Sequence, residues 1–294
     1  MSALPRAESV NYVFQRHVSR SLPSSPAAFR RKFTRALAHL EAYAAYGPSR
    51  PVGEAVFYEF GAGWDLAVQL AYWSLGVERQ LLIDLHSHLR LDLVEVTLER
   101  LRREHPALEV EAGRELRAPG RASIGSAREL EERFGITYLA PRDARATDLV
   151  SHSVDFVSST NTLEHVPASG LIDILVECRR LLRHDGAMSS RIDLRDHYSY
   201  FDRSVSPYNF LRYSDRAWWL FNSSLLYQNR LRRPDYLQAV ADAGLSVVGE
   251  SATRPTDPEL AMLDRIEVAP RFRSYSVEDL AVVALVLVAR PAAA

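Results

Sequence analysis

The chain has 294 residues, 47% of them hydrophobic and 25% charged, which suits a soluble globular protein with one large domain or one domain and an appendage. The formal net charge is −1 and the pI about 6.8, so no overall positive field attracts nucleic acid or an anionic membrane. We therefore expect no nucleic-acid partner and no membrane partner.

The single cysteine, Cys178, excludes an internal disulfide and a paired-cysteine metal site. It shares an amphipathic pattern with Leu171, Leu175 and Leu182, which indicates a core thiol. No run reaches about 18 apolar residues, and no apolar stretch follows a basic N-terminal region. We expect a cytoplasmic protein.

Residues 1–50 are predicted to form an N-terminal helical arm or lid. Ser25 and Pro26 predict the start of its helix, because a hydroxyl cap followed by proline favours a helix N-terminus. Gly47 and Pro48 predict its end. The apolar face would comprise Phe29, Phe33, Leu37 and Leu40. This helix could pack on its own domain or on a second subunit, so a homodimer is an open expectation.

Strand and helix patterns alternate within residues 51–294. Strands are predicted at 55–60, 80–84, 136–139, 154–158, 187–192, 245–248 and 281–289. Helices are predicted at 66–77, from 91 to near Pro106, at 126–134, at 168–183 with Gly186 as the stop, and at 234–243; residues 106–125 resemble an irregular insertion. Such alternation predicts an α/β fold with a parallel sheet and helices on both faces.

The most informative segment runs from 56 to 65, where a short apolar run ends in Glu59 and continues through Gly61 and Gly63. A largely apolar segment follows. This pattern predicts a strand, a tight turn and a helix whose N-terminus faces a nucleotide-like ligand. The glycines allow the backbone to approach that ligand closely.

Three further polar blocks follow predicted strands, at the sheet edge where such folds bind ligands. Asp84 ends the second strand, 25 positions after Glu59, and a carboxylate there can accept both hydroxyls of a ribose. Asp143 and Ala144 follow the third strand and suit an adenine ring. The fourth block, 155–166, leads from a strand through a polar turn to Leu-Glu-His.

With these four ordered blocks, residues 54–290 resemble the class I S-adenosylmethionine-dependent methyltransferases, especially the type-11-like branch with small-molecule acceptors. The resemblance implies a Rossmann-like, mostly parallel sheet of seven strands and S-adenosyl-L-methionine as cofactor. It assigns Glu59, Gly61 and Gly63 to the amino acid portion of the cofactor, Asp84 to its ribose, Asp143 and Ala144 to its adenine, and the turn at Thr160 and Asn161 to its methionine portion.

One residue departs from the family pattern, because Asp65 occupies the position of a frequent third glycine. We expect this side chain to narrow the turn and to add negative charge beside the cofactor's carboxylate. NAD-binding folds share the glycine turn and the ribose carboxylate, but they usually carry the full three-glycine pattern. An NAD-dependent oxidoreductase, a non-catalytic cofactor-binding subunit of a biosynthetic complex and another transferase are the alternative interpretations.

The expected reaction is O-methylation of a small metabolite, such as a sugar or secondary-metabolite hydroxyl. His197 is the first candidate base, because the neighbouring Asp196 would raise its basicity, and His165 is the second. We assign no metal. A metal-assisted variant would use Asp193, Asp196, His197 and Asp202, and the run Asp84, His86, His88 also resembles a ligand cluster.

Residues 195–233 are predicted to form an inserted lid over the acceptor. Ten aromatic residues lie between 198 and 227, with arginines among or beside them. They include Tyr208, Phe210, Tyr213, Trp218, Trp219 and Phe221, with Arg203, Arg212, Arg216 and Arg230. The segment could pack its own small core, in which both tryptophans need burial, or offer rings and arginines to a planar or anionic ligand.

Overall fold

The computed structural model describes residues 22–202, 204–222 and 227–292. Predictions that concern residues 1–21, Arg203, 223–226 and 293–294 lie outside the described residues. Among the described helices, none is long and apolar enough to span a membrane.

Seven strands form one sheet in the order β3-β2-β1-β4-β5-β7-β6. The strands are β1 (Val56–Phe60), β2 (Arg79–Ile83), β3 (Ile136–Leu139), β4 (Val154–Thr160), β5 (Leu182–Asp193), β6 (Leu245–Thr253) and β7 (Ala284–Pro291). The first five strands pair in parallel, and β7 runs antiparallel to both of its neighbours. The predicted seven-stranded, mostly parallel α/β fold is confirmed.

Helices cover both faces of this sheet, as predicted. They are α1 (Pro26–Tyr46), α2 (Ala67–Ser74), α3 (Leu91–Ala112), α4 (Ala127–Phe134), α5 (Ala168–Leu181), α6 (Asp215–Phe221), α7 (Arg233–Asp242), α8 (Asp257–Asp264) and α9 (Val277–Ala281). The first four helices share one hydrophobic core with the sheet, and α5 and α7 share a second core on its other face. Strand β1 contributes Phe57 to the first core and Tyr58 to the second, so both of its faces are buried.

Helix α1 begins and packs as its sequence predicts. The Ala28 amide donates to the Ser25 hydroxyl at 3.2 Å, and Pro26 occupies the first turn. Phe29 and Phe33 are buried in the first core, so the helix packs on its own domain. The boundary at residue 50 and a homodimer remain predictions.

Helix α3 continues through Pro106, so the predicted end near this residue is wrong. The helix extends to Ala112 and ends at Gly113, which has a φ of 64°. Proline inside a helix costs about 3 kcal/mol, because it lacks an amide hydrogen and clashes with the preceding turn. Burial of Leu108 and the Gly113 cap favour continuation. The irregular segment therefore covers only 113–125 of the predicted 106–125.

Gly186 lies inside strand β5, so its predicted role as a helix stop is also wrong. Leu182 already pairs with Val154 in the sheet. A Cβ on Gly186 would lie 3.0 Å from the carbonyl oxygen of Asp155. Glycine at this position therefore permits the close approach of two strands. The last strand begins at Ala284 and not at the predicted residue 281, because Ala281 ends α9.

A third hydrophobic cluster joins the predicted insertion to residues that had no predicted structure. Tyr208, Phe210 and Trp218 pack there against Phe272 and Leu280 from the segment that contains α8 and α9. Trp219 is 76% exposed, so the expectation that both tryptophans are buried is wrong for this residue. Three of the ten aromatic residues, Tyr208, Phe210 and Trp218, are thus buried in a core, while the role of the segment as a lid remains a prediction.

Candidate functional site

The turn between β1 and α2 contains both glycines of the first block. Gly61 and Gly63 each have a φ of 75°, a conformation that glycine adopts without strain. A Cβ on Gly61 would lie 2.5 Å from the Thr162 hydroxyl oxygen, whereas a Cβ on Gly63 would meet open space. Glycine is therefore required at position 61 both by its φ and by the close approach of Thr162, and at position 63 by its φ alone.

Asp84 lies directly after β2, beside this turn. Its carboxylate accepts backbone hydrogen bonds from Gly63 and His86, and the His88 ring lies 3.9 Å away. The second carboxylate oxygen, Oδ2, is buried and has no partner among the described residues. Burial raises the pKa of Asp84, and the histidines and backbone amides only partly oppose this shift. An unsatisfied buried oxygen is the atom that a bound hydroxyl group would complete.

Asp143 and Ala144 lie across from Asp84. The Arg145 guanidinium pairs with Asp143 at 2.6 Å, and the Arg145 amide donates to the same carboxylate at 2.9 Å. These hydrogen bonds lower the pKa of Asp143. The carboxylate is therefore held as an acceptor, and Arg145 shares it with any amine that binds there.

A cavity of about 340 Å³ lies at the carboxyl edge of the sheet, between Asp84 and the start of α5. Five predicted site residues line it, namely Gly61, Asp84, Asp143, Ala144 and His165. Five others do not, namely Glu59, Gly63, Thr160, Asn161 and His197. The structure thus brings together the residues predicted to bind ribose and adenine. The volume of the cavity lies within the usual range for small-molecule sites, about 300–1,000 Å³.

Glu59 faces the core between β1 and α2. Burial raises its pKa to about 7, although hydrogen bonds from Gln69 and Ser158 oppose this shift. The Ser158 hydroxyl donates to its carboxylate at 3.2 Å. A cofactor contact by the Glu59 side chain remains a prediction.

Asp65 is directed away from the open side of the turn. Its carboxylate accepts from the Lys32 amine at 2.7 Å and from the Ser24 hydroxyl at 2.7 Å. Burial opposes its ionisation, but Lys32 and the hydrogen bonds outweigh burial and lower the pKa of Asp65. The only lysine of the chain therefore offsets the negative charge that the sequence led us to expect beside the cofactor.

Thr160 and Asn161 end strand β4 beside α1 and β5. Asn161 has a φ of 54°, and its side-chain oxygen accepts from Arg191 at 2.6 Å. His39 of α1 contacts the Thr160 and Ser189 hydroxyls at 3.1 and 2.8 Å. Burial, with Arg191 and Arg35 adding to it, lowers the pKa of His39 to about 3. Helix α1 is thereby attached to the edge that carries the site.

His197 lies next to His165, with 5.0 Å between ring centroids. Its nearest carboxylate is Asp193, whose Oδ2 lies 3.8 Å from Nε2. Asp196 instead caps the following turn by accepting from the Tyr198 amide, so it is not the partner that the sequence predicted. Burial lowers the pKa of His197 to about 4, so the expected rise in basicity is also wrong. Catalysis by His197 remains a prediction.

Glu164 has no predicted role, although it belongs to the Leu-Glu-His block. It is 1% exposed, and burial raises its pKa to about 8. His165 beside it is exposed, and its Nδ1 donates to the Tyr227 carbonyl at 2.7 Å. The sequence does not indicate that the side chains of Glu164, His165 and His197 lie close together, and only the fold shows it.

Arginines of α1 and β5 line a second cavity, of about 320 Å³, on the α1 face of the sheet. Arg31, Arg35 and Arg191 line it together with His39. Burial, and then the charge of Arg191, lowers the pKa of Arg35 to about 10. Among the described residues, no carboxylate forms an ion pair with Arg35. Two of these arginines lie on α1, outside the motifs that the sequence revealed.

The described arginines of the predicted lid are not among the residues that line this second cavity. Arg230 is buried, donates to the Phe210 and Tyr213 carbonyls, and pairs with Asp215 at 2.6 Å. Its guanidinium therefore holds the insertion together and is not available to a ligand. Arg212 and Arg216 are exposed.

Comparison with known proteins shows the fold. No protein-family model matches the sequence, and no curated protein matches it. A geranyl diphosphate C-methyltransferase from Streptomyces coelicolor A3(2), solved with Mg²⁺, geranyl diphosphate and S-adenosyl-L-homocysteine, is similar with a TM-score of 0.54 over 98% of this chain and 99% of that one, at 13% identity. A geranyl diphosphate methyltransferase solved with S-adenosylmethionine has a TM-score of 0.50 over 94% of each chain, at 15% identity. The chain has the fold of class I methyltransferases.

Proposed function

We propose that this protein is an S-adenosylmethionine-dependent methyltransferase with a small-molecule acceptor. The observation that carries the proposal is Asp84, which lines the cavity at the carboxyl edge of the sheet and whose buried Oδ2 has no hydrogen-bond partner among the described residues. A ribose hydroxyl is a donor that would satisfy this atom. Gly61, which lines the same cavity, and the acceptor oxygens of Asp143 fit the remaining portions of the cofactor.

The topology favours this cofactor over NAD. Dinucleotide-binding sheets have the parallel order 3-2-1-4-5-6, whereas here the antiparallel β7 lies between β5 and β6. The cofactor, when bound, supplies an electrophilic methyl group on a sulfonium. The protein has to hold the acceptor in line with that methyl group and exclude water.

We further propose that the acceptor is a hydroxyl compound with an anionic group. Arg31, Arg35 and Arg191 bring three positive charges to one cavity, and guanidinium groups bind carboxylates and phosphates well. Arg191 also bonds Asn161 at the end of β4, which lies next to the Leu-Glu-His turn. The two similar structures are enzymes of geranyl diphosphate, an anionic acceptor, although one of them methylates carbon.

The test is turnover with methyl-labelled S-adenosylmethionine on matched pairs of hydroxylated compounds, with and without a phosphate or carboxylate. We expect methyl transfer to oxygen and a preference of at least 10-fold in kcat/KM for the charged member of a pair. Arg35→Met should lower that preference to about threefold or less, because it removes a charge-assisted hydrogen bond worth about 1.5–3 kcal/mol.

The matched control is Arg30→Met, since Arg30 lies on the same helix but pairs outward with Glu104. It should leave the preference unchanged. A neutral acceptor used as well as its charged analogue would contradict the anionic acceptor. Label on carbon would contradict O-methylation, and a chain that binds cofactor but methylates no acceptor would be a non-catalytic cofactor-binding subunit.

A further inference from the structure

Glu164, His165 and His197 bring three metal-binding side chains together at the end of β4. One carboxylate oxygen and one nitrogen from each ring lie within 4.8 Å of one another. Glu164 and His165 belong to the turn after β4, whereas His197 comes from the turn after β5. The cluster therefore joins two neighbouring strand ends, beside the cavity that His165 lines.

Two atoms of this cluster are buried and have no hydrogen-bond partner among the described residues, namely Glu164 Oε2 and His197 Nε2. Glu164 is 1% exposed, and its other oxygen accepts from the Asp193 amide at 3.3 Å. An unpartnered carboxylate oxygen in such a place is costly unless a cation or donor completes it. The charge of Arg191 acts on Glu164, but its guanidinium is already bonded to Asn161.

The third side chain, His165, is already oriented for metal binding. Its Nδ1 donates to the Tyr227 carbonyl at 2.7 Å, so the proton is on Nδ1 and the lone pair is on Nε2. Metal-binding histidines characteristically make this kind of second hydrogen bond. Near His197, Asp193 accepts a hydrogen bond from the Tyr200 hydroxyl, and its Oδ2 lies 3.8 Å from His197 Nε2.

We propose that Glu164, His165 and His197 bind one divalent transition-metal ion. Two imidazoles and one carboxylate suit Mn²⁺, Fe²⁺, Co²⁺ or Zn²⁺ better than Mg²⁺ or Ca²⁺, which prefer oxygen ligands only. Ligand atoms about 2.1 Å from a metal lie at most about 4.2 Å apart, so a pair at the 4.8 Å limit has to close by at least roughly 0.6 Å. The exposed His165 side chain can supply that movement.

This site differs from the set of Asp193, Asp196, His197 and Asp202 that the sequence suggested. Asp196 caps a turn through its side chain, and Asp202 accepts from Ser204, so neither carboxylate joins His197. Glu164, which the sequence left without a role, supplies the carboxylate. His197 is then a ligand and not the general base.

A role of the ion in methyl transfer rests on the proposed function, whereas the binding of the ion to the protein does not. Three protein ligands leave at least one coordination position open in any of the common geometries. An oxygen atom of the acceptor can take that position, next to the cofactor cavity that His165 also lines. The ion would then fix the oxygen in place for an in-line displacement.

The test is calorimetric titration of the chelator-treated full chain with Mn²⁺, repeated with Zn²⁺. We expect one saturable ion per chain. Glu164→Gln, His165→Asn and His197→Asn should each weaken binding at least 10-fold, since each removes a ligand. Pulsed electron paramagnetic resonance of the Mn²⁺-loaded protein should show coupling to histidine nitrogen, which His197→Asn reduces.

The matched control is His184→Asn, because His184 and His152 stack at 4.6 Å and form a separate surface pair that could bind metal adventitiously. Binding unaffected by His184→Asn supports the proposal. No saturable binding overturns it, and so does binding that only His184→Asn abolishes. If Glu164→Gln fails to fold, the His165→Asn variant decides the outcome, because His165 is exposed.

S-adenosylhomocysteine binding, measured in the same samples, separates the two proposals. Cofactor binding without metal binding overturns the metal site alone. Metal binding without cofactor binding overturns the proposed cofactor alone.

Discussion

At the scale of single residues, the pair Lys32 and Asp65 explains how the turn tolerates a carboxylate where a third glycine is frequent. Asp65 Oδ1 also accepts from the Ala67 amide at 3.3 Å, at the start of α2. The side chain thus fixes the first turn of that helix and connects it to α1 through Lys32. We interpret Asp65 as a structural link that leaves the open side of the turn free for ligand.

We predict that Lys32→Met lowers the free energy of unfolding by about 2–3 kcal/mol, because it leaves Asp65 buried without its counter-charge. Chemical denaturation at pH 7 measures this change. The double variant with Asp65→Asn should recover about 1–2 kcal/mol of the loss. Because the pKa of Asp65 is lowered in the folded state, the stabilisation is present above about pH 4 and is lost as the pH falls further.

A comparison within the same helix sharpens this prediction. Arg30 forms an exposed ion pair with Glu104, so Arg30→Met should cost no more than about 1 kcal/mol. Equal losses for Lys32→Met and Arg30→Met would mean that the buried carboxylate needs no counter-charge.

The sequence predicted those site residues whose role depends on their position after a strand. Asp84 follows β2 directly and Asp143 follows β3 after a short loop, and parallel strands bring such residues to one edge. Lys32 and Arg35 could not be predicted in this way, because they lie on a helix outside the motifs. The three-dimensional packing of α1 alone brings Lys32 to the turn and Arg35 to the sheet edge.

At the scale of elements, the turn between β1 and α2 provides a matched pair of glycines with the same φ. We predict that Gly61→Ala destabilises the protein by about 1–3 kcal/mol more than Gly63→Ala, because its Cβ also meets Thr162. Urea denaturation of the two variants measures the difference. Equal losses would show that the turn has room at Gly61.

The Thr162 side chain can be tested directly. Its Oγ1 and Cγ2 atoms are the nearest atoms to a Cβ on Gly61, at 2.5 and 2.6 Å. Thr162→Ala should therefore restore part of the stability that Gly61→Ala loses, and it should not rescue Gly63→Ala. Failure to rescue would assign the loss to backbone strain alone.

Cap residues in the sequence predicted helix ends correctly where the cap itself fixes the end. They failed where contacts between residues far apart in the sequence determine how far an element extends. Ser25 with Pro26 marks the start of α1 correctly, and Ser126 caps α4 in the same way. Pro106 did not end α3, because burial of Leu108 and the Gly113 cap beyond it favour continuation of the helix. The third cluster was missed, because α8 and α9 acquire a core only by packing against the insertion.

At the scale of the whole molecule, the cavity proposed for the cofactor and the proposed metal cluster lie at one edge of the sheet, where they share His165. The cavity proposed for the cofactor lies at the ends of β1 and β2, and the cluster of Glu164, His165 and His197 lies at the ends of β4 and β5. The arginine cavity lies on the α1 face of the sheet, and its Arg191 bonds Asn161 at the end of β4. A net charge of −1 therefore conceals a local positive region, which the overall composition does not predict.

The most direct test of the central claim is calorimetric titration of the full chain with S-adenosylhomocysteine and with NAD⁺. We predict one saturable site for S-adenosylhomocysteine and no response to NAD⁺. Asp84→Asn should weaken the affinity about 10-fold or more, because it removes a charged acceptor, whereas Asp173→Asn on the exposed side of α5 should not. Binding of NAD⁺ without S-adenosylhomocysteine, or equal affinity in wild type and Asp84→Asn, would contradict the account.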